Sequence, residues 1–109
     1  MYIAMNRFIV PLENAEAFEA VWLGRDSRLH ELPGFVGFQM LKGPEEDGRR
    51  LYASHTVWES EAHFRNWTTS EQFRAAHRGA GDTVRYHEGA PKFEGFAVIQ
   101  DIAARRPAA

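Results

Sequence analysis

The chain has 109 residues, of which 44% are hydrophobic and 26% charged, and these values predict one globular domain spanning residues 1–109. A formal net charge of −2 excludes broad attraction to nucleic acid or to an anionic membrane. The absence of cysteine excludes disulfides, thiolate metal ligands and a cysteine nucleophile. No stretch approaches the ~20 apolar residues of a membrane span. We therefore expect a soluble, cytoplasmic protein.

Residues 2–10 alternate as a strand with two largely apolar faces, which predicts a central strand covered on both sides. Asn6 interrupts the otherwise apolar face that carries Ala4 and Phe8. A buried amide needs hydrogen-bond partners. Asn6 therefore either makes a hydrogen bond internal to the fold or belongs to a site.

Residues 13–32 are predicted to form one helix with Asn14 as its N-cap. Apolar residues recur at helical spacing in this segment, namely Phe18, Val21, Trp22, Leu29 and Leu32. Arg25 alone breaks this stripe, and it either is solvated or salt-bridged or reaches a carboxylate. Strands at 35–42 and 51–58 then form a hairpin around a polar turn at 43–48.

Residues 60–77 read as two helical segments separated by a polar break. Ser60 caps the first segment, and Thr69 with Gln72 fits a capping box that restarts the helix. Trp67 closes the first segment and His77 the second, so both can face one cavity. That pairing suits a flat aromatic ligand with a metal, or a substrate held by stacking. Taken singly, His77 can simply favour the helix dipole and Trp67 can simply fill core.

The remaining chain is predicted to contain a long loop at 78–91, a last strand at 93–102 and a frayed tail at 103–109. The order βαββαβ predicts an α+β, ferredoxin-like fold with both helices on one face of an antiparallel sheet. Because the strands are apolar on both faces, we expect a second copy to cover the other face as a homodimer. No histidine pair has the spacing of a helical zinc site, and there is no phosphate-binding glycine loop.

Three segments carry a family resemblance: Met5-Asn6-Arg7-Phe8, residues 56–60 (Thr-Val-Trp-Glu-Ser), and residues 67–77 with Trp67 and His77 at their ends. They resemble the IsdG-type haem-degrading monooxygenases of the antibiotic biosynthesis monooxygenase superfamily, which are dimeric α+β barrels. The resemblance covers most of the chain, from the first strand to the last.

The resemblance implies that haem is both substrate and cofactor. O2 is activated on the haem iron, an external electron donor (an unidentified reductase) supplies electrons, and the porphyrin ring opens with release of iron. It implies that His77 is the axial iron ligand, that Asn6 lies on the oxygen-binding side and that Trp67 presses on the macrocycle.

An apolar slot for haem is expected from four aromatic residues, Phe8, Phe64, Trp67 and Phe73. Four arginines are candidates for the haem carboxylates, namely Arg25, Arg28, Arg74 and Arg78. His87 is an alternative iron ligand. Two other functions stay open at this point: a cofactor-independent monooxygenase of aromatic, polyketide-like phenols, and a haem-binding dimer without catalysis.

Overall fold

A computed structural model describes residues 1–25, 28–76 and 86–103. Its elements in chain order are β1 (Tyr2–Pro11), α1 (Ala15–Leu23), β2 (Phe35–Glu46), β3 (Arg49–Trp58), α2 (Glu61–Thr68), α3 (Glu71–Ala76) and β4 (Glu88–Ala97). Short 3-10 turns precede α1 at Leu12–Asn14 and follow it at Leu29–Glu31. None of the helices in these ranges is long and apolar enough to cross a membrane.

The four strands form one antiparallel sheet in the order β2-β3-β1-β4. β1 pairs with β3 on one side and β4 on the other, so it is central, as its two apolar faces predicted. The predicted α+β, ferredoxin-like fold is confirmed.

The core between sheet and helices has two parts, which lie at opposite ends of the sheet. The first contains Tyr2, Ala4, Leu29 and Trp58, against which Phe64 and Trp67 of α2 pack. The second contains Phe8, Val10, Phe18 and Tyr52, and lies beneath α1. Cross-strand pairing places Tyr2 opposite Trp58 and Phe8 opposite Tyr52. The rows of the sheet between these two pairs therefore lie between the two parts of the core.

The first helix is shorter than predicted, because it ends at Leu23 rather than near Leu32. Gly24 is a weak helix former, and Arg28 adopts a left-handed φ of 54° that no α-helix continues through. Leu29 is nevertheless buried, as its place on the stripe predicted, because a 3-10 turn returns it to the core. Asn14 stands at the N-cap position, but its side chain donates to the Tyr86 carbonyl instead of capping (3.2 Å).

The hairpin turn is also shorter than predicted. β2 runs on to Glu46, and the chain reverses at Asp47-Gly48, where both residues have positive φ (52° and 76°). Pro44 is tolerated because β2 is an edge strand and its register with β3 shifts between Lys42 and Glu45.

The last strand lies earlier in the chain than predicted, at Glu88–Ala97 instead of 93–102. Its pairing partner decides its limits: β1 begins at Tyr2, which pairs with Ala97, and a hydrogen bond from the Val98 amide to the Met1 carbonyl (2.9 Å) closes this end of the ladder. The glycine, proline and charged residues at its start suggested a loop. An edge strand accommodates them because one side of its backbone needs no partner in the sheet.

The break between α2 and α3 is confirmed, but its capping residue is not the one predicted. Ser60 caps α2 as expected and accepts a hydrogen bond from the His63 amide (3.2 Å). Thr69 does not cap α3, because its hydroxyl donates back to the Asn66 carbonyl (3.1 Å). Ser70 takes that role and accepts from the Phe73 amide (3.1 Å).

The outer face of the sheet, opposite the helices, leaves apolar side chains in contact with water. Ile9 is 41% exposed, Leu41 38% and Phe96 45%. Arg7 and Glu94 also lie on this face and form an ion pair (2.7 Å). The face thus combines apolar side chains with a central charged pair.

Candidate active site

A cleft lies between the two parts of the core, beneath the helices. Its floor consists of Ala4 and Asn6 on β1 with Ser54 and Thr56 on β3. The walls are formed by Trp22, Arg25, Leu29, Phe38, Phe64 and Trp67. The cleft encloses about 100 Å³ and is largely apolar above a polar floor.

The cleft exists because the middle rows of the sheet carry small side chains. On β3 the residues facing the helices run from Tyr52 to Trp58, and the two between them are the small hydroxyl residues Ser54 and Thr56. The Thr56 hydroxyl donates to the Ala4 carbonyl (3.1 Å), which satisfies it within the sheet. Asn6 lies directly opposite Ser54 and brings an amide to the floor.

Trp67 forms one wall and is held by aromatic contacts on several sides. It stacks on Trp58 (5.5 Å between centroids, 27° between planes) and meets the edge of Phe73 (4.9 Å, 83°). Its backbone is fixed as well, because the Ser70 hydroxyl donates to the Trp67 carbonyl (2.6 Å). Phe64 packs beside it at 6.0 Å. The helix break therefore places the Trp67 ring at the wall of the cleft.

Arg25 brings a positive charge to the opposite wall. Its guanidinium carbon lies 4.2 Å from the centre of the Trp22 ring, a cation–π contact. Partial removal from water lowers the pKa of Arg25, although an arginine stays charged at neutral pH. Within the described ranges, no carboxylate forms an ion pair with it. Such a cation is suited to the carboxylate of a ligand.

Four of the residues singled out from the sequence line this one cleft: Asn6, Arg25, Phe64 and Trp67. Phe73 does not line the cleft, but its ring contacts that of Trp67 edge-on (4.9 Å). His77 follows the last residue of α3 in the sequence but lies outside the described residues, as does Arg78. Arg28 is occupied elsewhere by an ion pair with Glu31 (2.8 Å).

Phe8, which was expected to line the slot, is not among the residues that line this cleft. Phe8 lies one row further along β1 than Asn6, beneath α1, and packs against Phe18 (5.4 Å) and Trp22 (5.7 Å). His87 lies beside it, edge-on at 5.2 Å, and its Nδ1 is 2.9 Å from the Gly89 carbonyl. Phe8 therefore belongs to the second part of the core, and His87 packs against it. No group of three histidine or acidic residues that could hold a metal occurs in the described ranges.

Several lining residues were not foreseen as site residues, notably Trp22, Phe38, Ser54 and Thr56. A signal for the last two was present, because small hydroxyl residues between two aromatic ones on one strand face leave unfilled space. Trp22 and Phe38 gave no such signal, since each fits its element as an ordinary core residue.

A second groove of about 300 Å³ adjoins the cleft between α1 and β2. Trp22 and Phe38 stack (6.1 Å, 15°) and separate the two spaces. At the far end of the groove Tyr52 donates to Glu19, which also pairs with Lys42 (3.0 Å). Burial and then the bond to Glu19 raise the pKa of Tyr52 to about 12. The hydrogen bonds from Tyr52 and Lys42 lower the pKa of Glu19.

Comparison with known proteins identifies the family of this chain. The family model described as antibiotic biosynthesis monooxygenase matches residues 1–79, which include Asn6, Trp67 and His77. A heme oxygenase (staphylobilin-producing) of Staphylococcus saprophyticus is 33% identical over 84 residues, covering 76% of this chain and 79% of that protein. A heme-degrading monooxygenase of Listeria monocytogenes is 33% identical over 71 residues, which span 64% of this chain and 59% of that protein.

The fold comparison gives a third relative. The structure of the heme-degrader MhuD from Mycobacterium tuberculosis, with two hemes bound in its active site, superimposes with a TM-score of 0.74 and 28% identity. The match covers 94% of this chain and 100% of that one. The chain belongs to the antibiotic biosynthesis monooxygenase family.

Proposed function

We propose that this protein is a haem-degrading monooxygenase, an oxidoreductase that binds haem, consumes O2 and electrons from an external donor, and opens the porphyrin ring with release of iron. One observation carries the proposal: an amide, a guanidinium and a tryptophan ring from distant parts of the chain meet in one aromatic-walled cleft. The relatives named for haem degradation support it.

The described residues fit the chemistry of haem, a flat apolar ring with two carboxylates. Trp67 and Phe64 bring aromatic side chains to the wall of the cleft, and Arg25 offers a charge that no described carboxylate pairs with. The cleft itself encloses about 100 Å³, below the ~300–1,000 Å³ of typical ligand pockets. Parting of the stacked pair Trp22 and Phe38 would join the cleft to the adjoining groove of about 300 Å³ and make room for a porphyrin.

Each residue then has a distinct task. Haem, when bound, supplies the iron at which O2 is activated and the ring that is consumed. Asn6 presents its amide from the sheet floor as a hydrogen-bond donor to what is held above it. Arg25 binds a carboxylate and Trp67 presses on the ring face. His77, outside the described residues, is proposed as the axial ligand through a neutral ring nitrogen.

A panel of variants tests these assignments by absorption spectra of the haemin complex and by its rate of degradation. His77→Ala should lose the axial ligand spectrum and turnover. His30→Ala is the matched control, because the His30 side chain is 78% exposed and lies away from the cleft. A His77→Ala protein with the wild-type spectrum and rate would overturn the axial assignment.

Asn6→Ala should keep haem bound but slow its degradation. A hydrogen bond to a charged group contributes ~1.5–3 kcal/mol, so the rate should fall roughly 10- to 100-fold. An unchanged rate would remove Asn6 from the catalytic set. The matched control is Asn14→Ala, which also removes a side-chain amide, here one that donates to the Tyr86 carbonyl (3.2 Å) and does not line the cleft.

We also propose that two copies pair through the outer face of the sheet, because its apolar side chains are otherwise exposed to water. Ile9→Lys should convert the dimer to a monomer in sedimentation equilibrium. Leu23→Lys is the control, because Leu23 is 87% exposed but lies on α1, on the helix side of the sheet. A monomeric wild-type protein would contradict the proposed pairing. The cytoplasmic location and the separate reductase stay predictions.

A second candidate function is favoured by the small volume of the cleft. A cavity of about 100 Å³ suits an aromatic substrate smaller than a porphyrin, as a cofactor-independent monooxygenase of this family would take. Failure to bind haemin, together with oxygenation of a phenol, would select that reading. Saturable haemin binding without degradation under a reductant would instead indicate a haem-binding dimer.

A further inference from the structure

Trp58 lies directly behind Trp67 and has no exposed surface at all (0%). It therefore touches nothing that enters the cleft. Its ring is nearly parallel to that of Trp67, at 5.5 Å and 27°. Two indoles in this arrangement share a large flat contact, so the tilt of one restricts the tilt of the other.

Trp58 is the more firmly held of the two. It sits on β3, an inner strand, where it pairs with Tyr2 of β1 and Phe35 of β2. The ring of Phe35 meets it edge-on (5.6 Å, 72°) and Phe64 does so from another side (6.3 Å, 63°). Trp67, by contrast, lies in the last turn of a short helix that ends at Thr68.

A tryptophan is not expected at position 58 if its side chain only fills space. Its Nε1–H is buried and has no hydrogen-bond partner among the described residues. Leaving a buried donor unpaired costs free energy that a phenylalanine would not incur. What the indole supplies and a phenylalanine lacks is the second ring that completes the stack on Trp67.

We propose that Trp58 is a positioning residue, which sets the angle at which Trp67 meets the planar ligand of the cleft. This inference rests on the proposed function only for the identity of that ligand. Trp58 also meets Phe64 edge-on, but the wide second ring that a phenylalanine lacks lies against Trp67, so removing that ring should matter mainly while Trp67 is a tryptophan.

The first test needs no ligand. Two stacked indoles give an exciton couplet in the circular dichroism spectrum, and both Trp58→Phe and Trp67→Phe should abolish it. Tyr52→Phe is the matched control, because Tyr52 is equally buried (1% exposed) but lies in the other part of the core. A couplet that survives Trp58→Phe would overturn the proposed stack.

The second test uses the haemin complex of the whole protein and its porphyrin-methyl NMR shifts, which report the shape of the ring. Trp58→Phe should move these shifts at least halfway toward their values in Trp67→Phe. The double variant should match Trp67→Phe with no further change, because residues that act as a unit are not additive. Phe35→Leu, which releases Trp58 at its edge, should shift them less but in the same direction, and it serves if Trp58→Phe folds poorly.

The possible outcomes distinguish a failure of this inference about Trp58 from a failure of the proposed function. If Trp67→Phe changes the shifts and Trp58→Phe leaves them at wild type, Trp58 only fills core and the inference is wrong. Fully additive changes would show that the two tryptophans act independently, which also overturns it. If haemin does not bind, the proposed function fails, while a couplet that survives Trp58→Phe would still overturn the stack on which the inference stands.

Discussion

Gly34 is the position at which adding one methyl group, by substitution with alanine, should disturb the site most. It has a left-handed φ of 78° and lies beneath His63, in the first turn of α2. A Cβ at this position would lie 2.2 Å from Cγ of His63 and 2.6 Å from its Cβ. Because the His63 Cβ is tied to the helix backbone, turning the ring aside does not remove the clash. The start of α2 would have to move.

The expected destabilisation by Gly34→Ala has two parts. A left-handed conformation costs an alanine ~1–2 kcal/mol, and forcing atoms into a filled space costs ~1–3 kcal/mol. We therefore expect about 2 to 5 kcal/mol less stability in urea unfolding at fixed protein concentration. Moving α2 also displaces Phe64 and Trp67, so haemin should bind more weakly as well.

The Gly48→Ala variant separates the conformational cost of a left-handed alanine from the cost of the steric clash. Gly48 has nearly the same φ, 76°, but a Cβ there meets nothing within 4 Å. This control should lose only ~1–2 kcal/mol and keep normal haemin binding. Adding His63→Ala to Gly34→Ala should recover part of the difference between the two glycine variants. If Gly34→Ala destabilises the protein no more than Gly48→Ala, the contact with His63 does not position α2.

Three further predictions concern separate features of the chain. Arg25→Gln should weaken haemin binding roughly 10- to 100-fold, the equivalent of one charge-assisted bond of ~1.5–3 kcal/mol. Haemin dimethyl ester, which lacks the carboxylates, should bind both proteins equally, and a persisting difference would contradict carboxylate binding. The raised pKa of Tyr52 means that its contribution to stability is complete below pH 10 and is lost as the pH rises toward about 12. The Tyr52→Phe variant should not show this loss of stability when urea unfolding is measured across that pH range. An equal dependence of unfolding free energy on pH in both proteins would contradict the prediction. Gly95→Ala would place a Cβ 1.8 Å from the Tyr2 hydroxyl and should destabilise the protein by about 1 to 3 kcal/mol in the same assay. A neutral effect there would show that the Tyr2 ring moves freely.

The strands and their faces could be predicted from the sequence because burial follows the alternation of side chains. Asn6 stood out for the same reason, as one polar residue on an apolar face, and it does lie at the cleft. Phe8 shares that face, but which part of the face lies beneath α1 is decided by helix placement and not by alternation. The sequence therefore could not show that Phe8 lies in the core while Asn6, two residues earlier on the same strand face, lies at the cleft.

Element limits were harder to predict, because other parts of the chain decide them. The helical stripe continues past Leu23, yet α1 stops there, and a 3-10 turn buries Leu29. β4 is placed by its pairing with β1, which overrides the loop-like composition at its start. The cleft walls Trp22 and Phe38 are long-range neighbours, and a local pattern holds no information about their stacking.

An absorption titration with haemin, followed by a reductant in air with catalase present, tests the central claim most directly. The account predicts saturable binding, then loss of the Soret band together with chelatable iron released in proportion. Catalase ensures that free peroxide does not destroy the ring. A Soret band that persists while O2 and reductant are plentiful, or the absence of any saturable binding, would contradict haem degradation by this protein.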